Sequence, residues 1–567
     1  MAQAVNERET KAQRLERLKR AKNPWECFDE IARFAREGYE TIPEEWLKTY
    51  FRWWGVYTQG DGAGVVAGKG GEGNAVPFFM VRIRLPNGLL QAHQLRTIAA
   101  LAACYGRGVA DLTVRQNIQL HWVAIEALPD LFHQLWRCGL TTLGSCGDDT
   151  RNITGCPLAG VDADEICDAS PLVLQIQRLL VGNPAYYNLP RKYKICITGC
   201  RVWCSYPEIN DIGLTALPVE RDGEARFSVR VGGGLSTEPH LGLKLDGVAR
   251  WSQATAVVRG ITEIFRESKS LRENREKARL KYLFLEQGWT AASFQEELEQ
   301  RMGFPLEPAI PEEPPADIYR DHVGVHRQKQ DGLFYVGVAV LRGRITAEQL
   351  HAVADLAARY GSGELRTTNM QNLLILNVPA RRVDRLVREL ESAGLRVGAS
   401  SFWRGTIACT GSEFCKLALT ETKGYARWVV EELERRLPGF SQQVKLHITG
   451  CPNSCGQHWI ADIGLQGVRV KTGGQMVDGY YFCVGGAVGR HQAVARKVGY
   501  RTPATGVPAA VERLLRRYLE HRHDGENFRA FCARHTDAEL RAWLAGGEVE
   551  GIPAPEPSGR LPHGIEG

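Results

Sequence analysis

A chain of 567 residues, 44% hydrophobic and 24% charged, is long enough for several packed cores, and no apolar run nears the roughly 20 residues of a membrane helix. The formal net charge of +6 suits an acidic protein partner or weak nucleic-acid contact, and no helix-turn-helix, zinc-finger or RNA-binding signature favours the second. Fifteen cysteines spread over this length are not the framework of a disulfide-stapled domain, so they read as thiols or metal ligands in a reducing, cytoplasmic setting.

The opening stretch MAQAVNERETKAQRLERLKRAKNP lacks the apolar region of a secretory signal, and residues 1–50 read as a helical extension. The aromatics of YFRWWGVY read as core packing. The Gly-rich stretch from Gly60 to Asn74 reads as a mobile loop. Beyond it the chain repeats itself. Residues 94–117, QLRTIAALAACYGRGVADLTVRQN, align without gaps to residues 349–372, QLHAVADLAARYGSGELRTTNMQN, with 12 of 24 positions identical, which chance does not produce. Leu95, Ile98, Ala99 and Ala102 carry helical spacing, a Tyr-Gly pair stops the helix, and a strand-like segment follows.

The repeat resumes further on, where KICITGCRVWC and EINDIGLTAL match KLHITGCPNSC and IADIGLQGV. Each is followed by a Gly-rich strand end, VGGGLS and then VGGAVG. The fold class is therefore α+β with a pseudo-two-fold repeat, each half a small module (51–130 and 321–395) plus a larger mixed-sheet module (131–303 and 396–545). The Pro- and Glu-rich stretch at 304–320 reads as a linker, and residues 546–567 as a disordered tail.

Four cysteines in the second half stand out. Cys409 and Cys415 in CTGSEFC, with Cys451 and Cys455 in CPNSC, give two loops of spacing C-x5-C and C-x3-C. Four soft ligands in two short loops suit an iron-sulfur cluster; zinc and unliganded core cysteines are the alternatives. In the first half Cys200 and Cys204 repeat the C-x3-C, and Cys146 and Cys156 lie where another pair would be. Cys146 and Cys156 are nine residues apart rather than five, and Arg201, Val202 and Trp203 replace the small Pro-Asn-Ser, so that set reads as packing. No complete GxGxxG opens a helix, which argues against a dinucleotide site.

ACTGSEFCKLALTETKG followed by HITGCPNSCGQHWIADIGLQG resembles the signature of the ferredoxin-dependent nitrite and sulfite reductases, and the likeness spans roughly residues 50–535. The resemblance implies that the small modules are ferredoxin-like, that the larger ones bind siroheme, and that Cys409, Cys415, Cys451 and Cys455 hold one 4Fe-4S cluster. Cys455 would bridge to the siroheme iron. By matching position Arg82, Arg151, Lys192 and Lys194 become the catalytic cations, and an x-K-x-K alternation on a strand puts two ammonium groups on one face. Siroheme carries eight carboxylates, and the donors implied for it are Arg115, Gln116, Asn117, Arg275, Arg279, Lys281, Gln371 and Asn372. Backbone amides of Gly232, Gly233 and Gly234, and of Gly485 and Gly486, are read as anion-binding nests. His121 and His447 read as buried neighbours of the site, not ligands.

The implied reaction is six-electron reduction of sulfite to sulfide by a monomeric enzyme fed by reduced ferredoxin. The alternatives are nitrite reduction to ammonia and a non-catalytic iron-sulfur protein. Lys194 stands where plant-type nitrite reductases carry Asn and sulfite reductases Lys. Tyr57 and Cys146 match a linked Tyr-Cys pair of a bacterial sulfite reductase branch. Against this, CPNSCGQHWIADIG reads close to the nitrite-reductase form of the cluster loop.

Overall fold

The computed structural model describes residues 9–65, 73–218 and 223–547. The centre of the Gly-rich loop and most of the C-terminal tail, both read above as mobile, lie outside the described residues. Four five-stranded sheets form two related pairs, one pair per repeat type.

The repeated helices are Ala92–Tyr105 and Ala347–Tyr360, which bury the expected stripe Leu95, Ile98, Ala99 and Ala102 and its counterpart Leu350, Val353, Ala354 and Ala357. Both stripes belong to one apolar core, so each helix covers its own sheet and also packs on its twin. The two small sheets also exchange an edge. The short strand Arg344–Thr346 of the second half pairs with Val109–Leu112 of the first, and Leu89–Gln91 of the first pairs with Glu364–Thr367 of the second. Each half thus closes the other's open ladder, which leaves those edges no free backbone groups to offer another chain.

Each larger module has its own sheet and core. In the first, Ile195–Thr198 runs parallel to Ile212–Leu217, which continues antiparallel through Arg226–Val231 and Leu243–Arg250. In the second, Thr406–Ala408, Leu446–Thr449 and Ile463–Thr472 are parallel, with Gln475–Val484 and Arg496–Pro503 antiparallel beyond them. Both C-x3-C loops leave the C-terminal end of a parallel strand, where ligands gather in open sheets.

Two segments are more ordered than their composition predicts. Residues 304–320 are not a bare linker, because Glu307–Pro308 adds an edge strand to Leu243–Arg250, and Glu312 pairs with Arg230 at 2.7 Å and Lys244 at 3.1 Å. The flanks of the Gly-rich loop are tied to the cluster loop through Gly60 N to Phe414 O (2.9 Å), Val65 N to Ala418 O (2.8 Å) and Gly73 N to Lys416 O (2.8 Å). The glycines serve this approach. Gly64 has φ +67°, and a Cβ there would lie 2.4 Å from Ala418 O.

Candidate active site

Cys409 follows the strand Thr406–Ala408, and Cys451 sits two residues past the neighbouring parallel strand Leu446–Thr449, so adjacent strand ends deliver the two cysteine loops to one place. Gly450 N donates to Cys409 Sγ at 3.3 Å and Thr422 Oγ1 donates to Cys409 O at 2.6 Å. The loop between Cys409 and Cys415 is clamped from both halves. Arg344 holds Glu413 at 2.8 Å, and His121 stacks on Phe414 with ring centres 3.9 Å apart. His121 is itself fixed by Asp111 at 3.1 Å, which agrees with its reading as a satisfied core residue. His447 is likewise buried, with Nδ1 on Gln457 O at 3.1 Å. Of the four cysteines only Cys455 is exposed, and it marks the open side of the set.

The cations come from the first half. Arg82 and Arg84 lie on one face of the strand Ala75–Ile83 and its extension, by the two-residue period of extended chain. Arg84 is fully buried and donates to Gly144 O (2.9 Å) and to Thr150 O, so it braces the loop that carries Arg151. Arg82 Nη1 donates to Ser145 O and to Cys146 Sγ at 3.1 and 3.0 Å. Arg151 donates to Gly147 O at 2.9 Å, and the Tyr57 hydroxyl lies within hydrogen-bond reach of both the Cys146 thiol and the Arg151 guanidinium.

A cavity beside them is lined by Arg52, Tyr57, Asp148, Arg151, Arg191 and Arg275. Asp148 organises its far wall. It receives Arg275 through both carboxylate oxygens, one at 2.6 Å, with Lys19 at 3.6 Å and Arg191 at 3.8 Å. Lys19 comes from the N-terminal helix Lys11–Ala21, so the extension is anchored by a buried charge; removing one partner of such a group costs on the order of 3–5 kcal/mol. Sequence reasoning missed Arg84, Asp148 and Arg191, although R-x-R, GDDTR and the RK pair of PRKYK were visible.

Lys192 and Lys194 extend the cluster of charge from Arg151, whose backbone N donates to Tyr193 O at 2.8 Å. Burial, and after it Arg191, pushes Lys192 down to about 7. Burial, then Arg279 and Arg115, holds Lys194 well below the usual lysine range. Such a concentration of half-buried cations favours a bound anion, which would help them stay charged. Asp149 shows the converse. Burial raises its carboxyl well above the ordinary range against the pull of Arg151 and Arg84, and both its oxygens lack a hydrogen-bond partner.

The remaining donors divide. Arg115 donates to Asn210 Oδ1 and Asn152 O (2.8 and 2.5 Å) but keeps Nε unpartnered, and Asn372 keeps Nδ2 unpartnered. Arg279 pairs with Asp211 at 2.8 Å, and Lys281 donates to Leu235 O at 3.2 Å. Asn117 accepts from Leu85 N at 3.4 Å.

Two expectations are corrected. Gln116 and Gln371 have no donor to spare. Gln116 donates to Gly155 O and Thr367 O and accepts from Gly155 N, and Gln371 does the same with Leu112 O, Ala408 O and Ala408 N, so each ties modules together. The amides of Gly232, Gly234, Gly485 and Gly486 are not open nests either. They donate to Asp211, His240, Asp462 and Ala461 carbonyls at 3.0, 2.8, 2.9 and 2.9 Å. Glycine is needed there for space, since a Cβ on Gly233 would lie 2.3 Å from Glu208 O.

Two cysteine pairs delivered by adjacent strand ends, together with a half-buried array of cations in the other half, define an anion-transforming redox protein. Comparison with known proteins agrees. The chain matches the family "Nitrite and sulphite reductase 4Fe-4S domain" over residues 146–306 and 399–549, and "Nitrite/Sulfite reductase ferredoxin-like half domain" over 73–136 and 326–393. It is 40% identical to an assimilatory ferredoxin-dependent nitrite reductase of Haloferax mediterranei, covering 88% of each chain. It is 37% identical to a ferredoxin sulfite reductase of Mycolicibacterium paratuberculosis, over 93% of this chain and 95% of the other. The solved structure of Mycobacterium tuberculosis NirA protein superposes with a TM-score of 0.88 at 36% identity, covering 93% of this chain and 97% of that one. The chain belongs to the nitrite and sulfite reductase family, oxidoreductases that carry siroheme and a 4Fe-4S cluster. Its own residues fit both groups: four convergent thiols for the cluster, and unpartnered buried donors at Arg115, Arg151 and Asn372 for a carboxylate-rich macrocycle. No helix among the described residues is long and apolar enough to cross a membrane.

Proposed function

We propose that this chain reduces sulfite to sulfide with six electrons from reduced ferredoxin. The observation that carries the reading is that Arg82 and Arg151 share Ser145 O, and Arg151 N donates to Tyr193 O at 2.8 Å between Lys192 and Lys194, so the four cations of the first half stand together. When bound, the coupled siroheme and cluster supply electrons and an iron for the substrate. Cys409, Cys415, Cys451 and Cys455 would hold the cluster, and Arg115, Asn117, Arg275, Arg279, Lys281 and Asn372 would supply donors to the macrocycle's carboxylates. Arg82, Arg151, Lys192 and Lys194 hold the substrate oxygens and pass protons as each oxygen leaves as water. A net charge of +6 steers an acidic ferredoxin toward the protein.

Nitrite reduction to ammonia is the second reading, supported by the 40% identity to the Haloferax mediterranei nitrite reductase. Parallel turnover of both anions with one reduced donor separates them. A kcat/KM for sulfite above that for nitrite is expected, and the reverse order would transfer the assignment to nitrite.

Tyr57 and Cys146 are expected to be joined by a bond from Cys146 Sγ to a Tyr57 ring carbon, the two displaced hydrogens passing to a two-electron oxidant such as dioxygen, since Arg82 lies 3.0 Å from the thiol and 5.9 Å from the Tyr57 ring centre. A reducing tryptic map should contain one branched peptide lighter by two hydrogens. Two separate, unmodified peptides would dismiss the link.

A further inference from the structure

Cys156, Cys200 and Cys204 in the first half are all buried, and their sulfurs lie within 4.8 Å of one another, Cys156 and Cys204 at 3.5 Å. Sequence spacing had these cysteines as packing and grouped Cys156 with Cys146. The structure separates those two: Cys146 belongs to the Arg82 and Arg151 pocket.

Pseudo-symmetry explains the convergence. Gln116 Oε1 accepts from Gly155 N and its repeat partner Gln371 Oε1 accepts from Ala408 N, both at 3.1 Å, so Cys156 is the counterpart of Cys409. Cys200 and Cys204 are the counterparts of Cys451 and Cys455. Six residues beyond Cys156, where the second half has Cys415, stands Asp162, and its carboxylate is taken by Arg320 at 2.5 Å. The first half therefore keeps three of four thiol positions.

Their spacing is not that of a cluster. Among the described residues this is the only group of three or more potential ligands so close together, and the second-half cysteines, arranged for a cubane, do not meet that limit. A single tetrahedral ion with metal-sulfur bonds of about 2.3 Å keeps its sulfurs about 3.8 Å apart, which matches the trio. A nitrogen donor is also at hand. His322 is buried at 4% exposure, and neither ring nitrogen has a hydrogen-bond partner, an expensive arrangement unless something binds there. Its ring nitrogens lie outside the 4.8 Å that unites the three sulfurs, so the side chain must swing inward to reach an ion held there. The segment carrying His322 closes over both cysteine loops, with Ala316 N on Arg201 O at 3.0 Å and Lys329 N on Val161 O at 2.9 Å. Leu158, Ala159, Tyr335, Leu374 and Leu376 pack around the thiols, so little water competes for a bound ion.

We propose that Cys156, Cys200 and Cys204 bind one mononuclear zinc ion, with the orphaned His322 ring swinging in to fill the fourth position, as a structural staple between the halves. Four protein ligands and no exchangeable position make it a closed site. It is separate from the redox centres.

The test uses the full holoenzyme, produced with zinc in the medium and analysed for zinc and iron together. About one zinc per chain is expected beyond the iron, with a zinc-edge absorption spectrum of three sulfur neighbours at about 2.3 Å and one nitrogen. Cys200→Ser and His322→Ala should each lower zinc occupancy by at least about tenfold while the visible bands of siroheme and cluster persist. Zinc below roughly a tenth per chain in the wild type overturns the proposal, as does zinc retained in Cys200→Ser or a Cys156–Cys204 disulfide in a non-reducing peptide map. Should the variants fail to fold, the wild-type metal count and spectrum decide.

Discussion

Lys194→Asn is expected to lower the sulfite-to-nitrite ratio of kcat/KM by at least about tenfold, roughly 1.4 kcal/mol. Lys194 is half-buried and feels the charges of Arg279, Arg115 and Lys192, with its backbone N donating to Asp211 Oδ2 at 2.8 Å. A dianion gains more than a monoanion from one added ammonium. The raw attraction for a unit charge at 4 Å is about 4 kcal/mol at an effective dielectric of 20. Part of that is spent because burial presses Lys194 toward its neutral form, so the binding anion must first draw a proton onto it. Asparagine keeps a donor in similar space and removes the charge. Using the ratio cancels losses of cofactor occupancy common to both anions. An unchanged ratio in a variant that still holds siroheme would mean that Lys194 does not set anion choice, and the preference for sulfite would lose its main support.

Cys455→Ser is expected to abolish turnover, with loss of coupling between cluster and siroheme or of both centres. Serine is a poor bridging ligand for two irons, and no other thiol can substitute. Cys409 and Cys415 are only partly exposed and Cys451 is buried, whereas Cys455 alone is exposed. Visible absorption for the siroheme and paramagnetic resonance for the reduced cluster report the two centres separately. A variant that kept both centres and its turnover would show that Cys455 is not the bridge.

Much of this was legible in the chain itself because the relevant information is local. A thiolate pair with three or five intervening residues spans one loop wherever the loop is placed, so Cys409 with Cys415, and Cys451 with Cys455, could each be read directly as a candidate ligand pair. The helix Ala92–Tyr105 and its twin follow from a period within one segment, and an ungapped repeat makes two modules alike whatever lies between them. The family followed from those motifs.

What needed the tertiary structure depends on partners distant in sequence. Whether a glutamine amide or a glycine N–H is free for a ligand depends on which carbonyl faces it. Thr367 lies across the repeat from Gln116, and nothing local announces that contact. Arg344–Thr346 completing the other half's sheet is of the same kind, since an edge strand carries no label for its neighbour. The sharpest case is Cys156. Its local spacing to Cys146 suggested a broken pair, and only the folded chain brings it to Cys200 and Cys204 while sending Cys146 to Arg82. Spacing specifies ligands only when one loop carries them; where separate loops converge, packing of the elements beneath them decides.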